Sequence, residues 1–171
     1  LRITFFDFVV PILARKITIF LLTYLFVISL SFNTQDNALI LLTLVFVSNL
    51  SIYLINDLID YNIDIKEKPI RVEKLLARGI LNKKDYLFFI GICIISLSIL
   101  WYFSPMVGIV STTIVLTDTL RSLTHNYYIR TLLLFLIELS NFEVVWLSMV
   151  NDLIPAIVLP IFITYSIIYS V

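Results

Sequence analysis

Apolar residues fall in long unbroken runs along this chain, not in the narrow repeating stripe of a helix resting on a water-soluble core. Residues 38–55, 86–103 and 153–171 carry no charge at all. Each has the length of roughly 17–25 apolar residues with which a helix crosses hydrocarbon. Residues 17–32 are somewhat short, but Arg15 and Lys16 at their base can snorkel to the headgroups and complete the span. Two weaker runs follow, 105–123 with Asp118 and Arg121, and 131–150 with Glu138 and Glu143. Strands do not suit them, because open sheet edges cannot face lipid and the runs are too long for barrel strands. The pattern predicts an all-α membrane protein with about six transmembrane helices.

Composition agrees. Of the 171 residues, 60% are hydrophobic and 14% charged, and the mean hydropathy is +1.03. A soluble domain carries about 45–50% apolar and about 25% charged residues. A core of this size cannot hide so much apolar surface, which excludes soluble, disordered and nucleic-acid-binding classes. One cysteine and one histidine leave no internal disulfide and no Cys/His metal cluster, and three glycines leave no glycine-rich phosphate loop.

Charge then orients the spans. Arg2, Arg15 and Lys16 precede the first. Lys66, Lys68, Arg71, Lys74, Arg78, Lys83 and Lys84 lie between the second and third, and Arg121 and Arg130 flank the connection between the fourth and fifth. The opposite connections, 33–37, 104–105 and 151–152, contain no Lys or Arg. With six alternating spans all twelve cations share one face, which the positive-inside rule makes cytoplasmic. The chain reads as one transmembrane domain over 1–171, with a cytoplasmic acidic and basic motif loop at 57–85. It has no initiator Met and stops inside an apolar run, so it is expected to be incomplete at its C-terminus.

The motif loop opens with Asn56-Asp57-Leu58-Ile59-Asp60-Tyr61-Asn62-Ile63-Asp64. A continuing helix puts Asp57, Asp60 and Asp64 on one face and Asn56 beside Asp60. These acids would occupy a helix C-terminus, where the dipole is already negative, so they need a compensating cation. For any one of them, a solvated helix end paired with the following lysines and arginines suffices. The shared face and adjacent Asn56 favour a common cation for the set. Hard oxygen donors without His or Cys point to Mg2+, which takes a few carboxylates and completes its shell with water and phosphate. Lys and Arg nearby would bind phosphate oxygens. At a bilayer surface, that combination suggests a lipid-tailed diphosphate.

Asn56-Asp57-x-x-Asp60-x-x-x-Asp64 resembles the first aspartate-rich motif, NDxxDxxxD, of the UbiA superfamily of intramembrane prenyltransferases. Lys68-Pro69-Ile70-Arg71 and Lys74-Leu75-Leu76-Ala77-Arg78-Gly79-Ile80 resemble its basic stretch, with a few residues inserted and the flanking proline pair absent. Tyr127-Tyr128-Ile129-Arg130 resembles the family's Tyr-x-Lys/Arg element. The resemblance implies the first two-thirds of the nine-helix UbiA fold, with the second Asp-rich motif absent from this chain. It implies transfer of a prenyl group from a prenyl diphosphate to a lipid or aromatic acceptor, with membrane lipids as surroundings and no nucleic acid. Asp57, Asp60 and Asp64 would hold Mg2+; Asn56, Arg71, Lys74 and Arg130 would bind diphosphate. No catalytic residue is assigned. Asp118 and Arg121, three apart on one helix, read as a local pair or as residues standing near the interface, although the resemblance would set Asp118 near the reaction chamber. Glu138 and Glu143 must face protein or water. The rival readings are a non-enzymatic membrane subunit or ion-conducting protein using the acids as a cation site, and an inactive UbiA-like homologue.

Overall fold

The computed structural model describes residues 36–66, 74, 76–152 and 154–170. The expected first span, 17–32, and the diphosphate candidate Arg71 lie outside the described residues. Within them the protein is all helix, with no strand. The helices are α1 (Ala38–Asp64), α2 (Lys83–Phe103), α3 (Pro105–Leu123), α4 (Tyr127–Val150) and α5 (Leu159–Ser170). The first four are long and apolar enough to cross a membrane; α5, with 12 residues, is shorter.

Local chemistry sets the ends. α1 meets no proline or glycine before residue 65, so it runs beyond the apolar stretch and carries the acidic motif as about two and a half further turns. α2 begins three residues before its apolar run because Asn82 and Asp85 form a capping box. The Asn82 side chain accepts from the Lys84 and Asp85 amides, and Asp85 accepts from the Asn82 amide at 3.0 Å. α3 starts on Pro105, whose missing amide is not needed in a first turn. α4 also starts early, on Asn126, whose side chain accepts from the Ile129 amide.

The sixth run departs most from expectation. α4 stops at Asn151, which is in the left-handed region at φ 57°. Pro155 then keeps the residue before it out of helical conformation. Its carbonyl accepts from the Val158 and Leu159 amides in a turn. Only after that turn does α5 begin, with Pro160 at its second position, where the ring is tolerated. The expected continuous span over 153–171 is therefore a turn followed by a short helix.

The core is centred on α4, with Val144, Val145, Trp146 and Met149 fully buried against Leu41 and Val45 of α1, Val107 and Ile114 of α3, and Phe162 of α5. Phe142 stacks on Phe162 with ring centres 4.5 Å apart. Glu138 is buried in this core, as an acid inside a membrane should be. Large apolar side chains such as Leu87, Phe88, Ile95, Leu116 and Leu132 point outward. In a membrane protein such surface is covered by lipid. α2 and α3 are joined through Ser104 alone and touch closely. A methyl group on Gly108 would lie 3.0 Å from the Trp101 backbone, and the Trp101 indole donates to Thr112 at 3.0 Å.

Candidate functional site

At the motif end of the bundle, the last turns of α1 lie between the first turn of α2 and the last turns of α3. A second, smaller core supports this end: Leu50 and Leu54 of α1 and Tyr86 and Cys93 of α2 enclose Leu76 from the connecting loop. Leu76 is 5% exposed and anchors a turn running from Lys74 to Gly79. That turn closes through the Arg78 amide onto the Lys74 carbonyl and needs φ +68° at residue 79, a conformation glycine adopts without strain.

The anchored turn delivers Lys74 onto the motif. Its Nζ lies 3.1 Å from Asp57 Oδ1 and 2.9 Å from Asp64 Oδ2. The acids are seven apart on α1, so two turns separate them and one ammonium spans the gap. Burial alone would lower the Lys74 pKa, but its bonds to Asp64 and Asp57 outweigh that effect and hold it above the ordinary lysine value. The other oxygen of Asp57 accepts from the hydroxyl of fully buried Tyr86 at 2.8 Å. The capping box at Asn82 and Asp85 fixes where Tyr86 sits in its helix.

A second clamp grips the opposite flank of the motif. Asn56 Nδ2 donates to Asp118 Oδ2 at 2.9 Å, and Asn56 Oδ1 accepts from the Ser122 hydroxyl. Asp118 is 4% exposed. Its remaining oxygen accepts from Arg121 Nε at 2.8 Å, so the expected local pair is present and is also tied across helices to the motif. Both ends of the Asn56 amide are thereby engaged.

On a helix of about 3.6 residues per turn, Asp60 falls between Asn56 and Asp64. It is half-buried and makes no ion pair or hydrogen bond among the described residues. Asp57 and Asp64 are thus brought together, Asp60 stands beside them, and no three acidic, His or Cys side chains among the described residues converge as a metal cage. Arg130 is on the exposed first turn of α4 and has no ion pair among the described residues. Lys83 lies 4.9 Å above the Tyr61 ring, near the same end.

Sequence reasoning missed three participants: Tyr86, Ser122 and the link from Asp118 to Asn56. The first had a local signal, since Asn82-x-x-Asp85 announces a helix start with Tyr86 on its first turn. The other two depend on contacts between residues more than sixty positions apart.

Comparison with curated proteins and with solved structures gives no match. The model of the UbiA prenyltransferase family matches residues 17–120. That stretch takes in the acidic motif, Lys74, Tyr86 and Asp118, and stops just short of Arg121. It covers more than half of the chain, which therefore belongs to the UbiA prenyltransferase family.

Proposed function

We propose that the chain acts as a prenyl-transferring enzyme, or as part of one. It would take a prenyl diphosphate from the membrane and deliver the prenyl group to a lipid or aromatic acceptor. One observation carries this reading: two motif carboxylates two turns apart share a single cation at 2.9 and 3.1 Å. A pair of oxygen donors poised around one positive charge suits Mg2+, which commonly uses one or two carboxylates and fills its shell with water and substrate phosphate. Asp57 and Asp64 would hold it, with Asp60 as the adjacent half-buried donor. Bound there, the metal would supply Lewis-acid neutralisation of the departing diphosphate.

The protein's own groups supply the rest. Tyr86 orients Asp57 through its hydroxyl, and Asn56 is oriented by Asp118 and Ser122. Lys74, once released from the carboxylates, is placed to bind diphosphate oxygens, with Arg71 and Arg130 as further basic groups. In the reaction the allylic carbon–oxygen bond breaks and its electron pair leaves with the diphosphate. The acceptor supplies the pair for the new bond and loses a proton. The apolar surfaces of the bundle suit a prenyl tail. The basic loop would lie on the cytoplasmic side.

Asp60→Asn tests the site. Full chain in lipid nanodiscs should bind a prenyl diphosphate only with Mg2+, and the variant should bind at least tenfold more weakly while inserting normally. Equal binding by both proteins, with and without magnesium, would remove the assignment.

A further inference from the structure

Asn56 and Asp118 mark a level at which α1 and α3 meet, 2.9 Å apart. Seven residues earlier on each helix, two turns deeper into the bundle, stand Asn49 and Ser111. Both helices run toward the motif end and share a core through Val45, Val107 and Ile114, so the register set at the motif carries down to a second level about 10 Å below it. α4 starts beside the end of α3 and runs back through the same core. At 1.5 Å per residue, Asn141 lies about 21 Å from the start of α4, and Ser111 about 18 Å from the end of α3. We infer that Asn49, Ser111 and Asn141 form a polar recess that takes an uncharged oxygen substituent, a hydroxyl or carbonyl, of an aromatic acceptor; this rests on the prenyl-transfer reading above.

The three side chains are each more than nine-tenths buried, Asn141 at 1% exposure. Asn49 Oδ1, Ser111 Oγ and both polar atoms of the Asn141 amide have no hydrogen-bond partner among the described residues. Polar residues in membrane helices ordinarily bond across to a neighbouring helix or back to their own. Ser48 and Ser51 of α1 and Ser148 of α4, buried in the same bundle, do the latter, each donating to a carbonyl one turn earlier. Donors and acceptors left over at one depth, in a bundle that lipid surrounds, are costly unless a ligand answers them. The missing charges define that ligand. Residues 38–55, 105–120 and 131–150 contain no Lys or Arg, and the ionisable neighbour on α4, Glu138, is an acid one turn from Asn141. A carboxylate or phosphate entering this level would be a buried charge without a counter-ion, which disfavours a glycerol phosphate acceptor. A hydroxyl or carbonyl can use an amide and a serine hydroxyl as they stand. Depth agrees with this: diphosphate and allylic carbon take up part of the interval below the motif, and one substituted ring fills the rest.

The test is equilibrium dialysis of hydroquinone and of 4-hydroxybenzoate against the full chain in nanodiscs, with Mg2+ and the unreactive analogue farnesyl thiodiphosphate. The two probes differ in whether the group across the ring from the phenol is a neutral hydroxyl or a carboxylate. The parent should bind hydroquinone at least tenfold more tightly than 4-hydroxybenzoate. Asn141→Leu and Ser111→Ala should each weaken hydroquinone at least fivefold and leave the affinity for the thiodiphosphate unchanged. Ser51→Ala, which removes a buried hydroxyl already satisfied by its own helix, should bind as the parent does. The unfolding midpoint of Asn141→Leu should equal or exceed the parent's, because an apolar side chain of similar size replaces an amide without a partner; a lower midpoint with parent-like hydroquinone binding would show a structural residue and overturn the inference. Parent affinity for hydroquinone in both Asn141→Leu and Ser111→Ala, the result for a recess that holds only water, would also overturn it, as would a parent that prefers 4-hydroxybenzoate. In each of these cases binding of the thiodiphosphate leaves the prenyl diphosphate reading standing. A parent that binds no thiodiphosphate would overturn both.

Discussion

Replacing Lys74 by Met removes the ammonium from between Asp57 and Asp64 and keeps an apolar stem of similar length. The two carboxylate oxygens cannot be farther apart than 3.1 and 2.9 Å laid end to end, about 6 Å. At an effective dielectric of about 20, unit charges at that separation repel by about 3 kcal/mol. The variant also forfeits two charge-assisted hydrogen bonds. Local relaxation and water entry recover part of the repulsion, so a net loss of about 1.5–3 kcal/mol is expected. Unfolding of the full chain in mixed micelles with rising SDS measures it. Millimolar Mg2+ should restore more stability to Lys74→Met than to the parent, since the divalent ion can take the vacated position. The pH dependence follows from the raised folded-state pKa of Lys74. Its contribution is complete below the unfolded lysine value near 10.5 and is lost as pH rises through the higher folded value. The stability difference between parent and variant should therefore be level from pH 7 to about pH 10 and shrink above it. A variant within about 0.5 kcal/mol of the parent, indifferent to magnesium, would refute the bridge.

Three further outcomes follow from the structure. Tyr86→Phe keeps the buried ring but strips Asp57 of its hydroxyl partner, and should lower stability by about 1.5–3 kcal/mol in the same titration; an unchanged midpoint would mean that the bond is not formed. Gly79→Ala meets nothing within 4 Å, so its effect is confined to the left-handed backbone, about 1–2 kcal/mol, and should loosen the turn bearing Lys74, read as faster amine acylation there. Single cysteines in place of Asp36 and Lys84, both exposed, should label from opposite sides of the membrane with buried Cys93 as a silent background; labelling from one side would refute the alternating spans.

How much of this could be read from the chain depends on how local the cause is. The bounds of α3 are visible because Ser104-Pro105 marks its start, and the one-face spacing of Asp57, Asp60 and Asp64 needs only a helix that keeps going. The early starts of α2 and α4 were legible too, in Asn82 and Asn126, but hydropathy alone passes over capping residues. The break before α5 was not seen, because Pro155 can bend a membrane helix as well as end one. Beyond the local scale, the sequence is silent. Seven lysines and arginines lie between the second and third apolar runs, and only the anchorage of Leu76 selects Lys74 for the carboxylates. The pairing of Asn56 with Asp118 depends on how α1 packs on α3, which no spacing encodes.

Tyr86 and Asp118, the two residues that hold the motif from opposite flanks, belong to the same tight hairpin, which turns on Ser104 and is pinned where Trp101 meets Gly108 and Thr112. Neither arm can slide along the other without breaking that contact, so the register of Tyr86 against Asp118 is set at the joint. Asp57 and Asn56 thus each take a partner from the same hairpin, while Lys74 holds Asp57 independently from the connecting loop. The joint that fixes the two arms, where Trp101 sits against Gly108, lies at the end of the hairpin away from the motif.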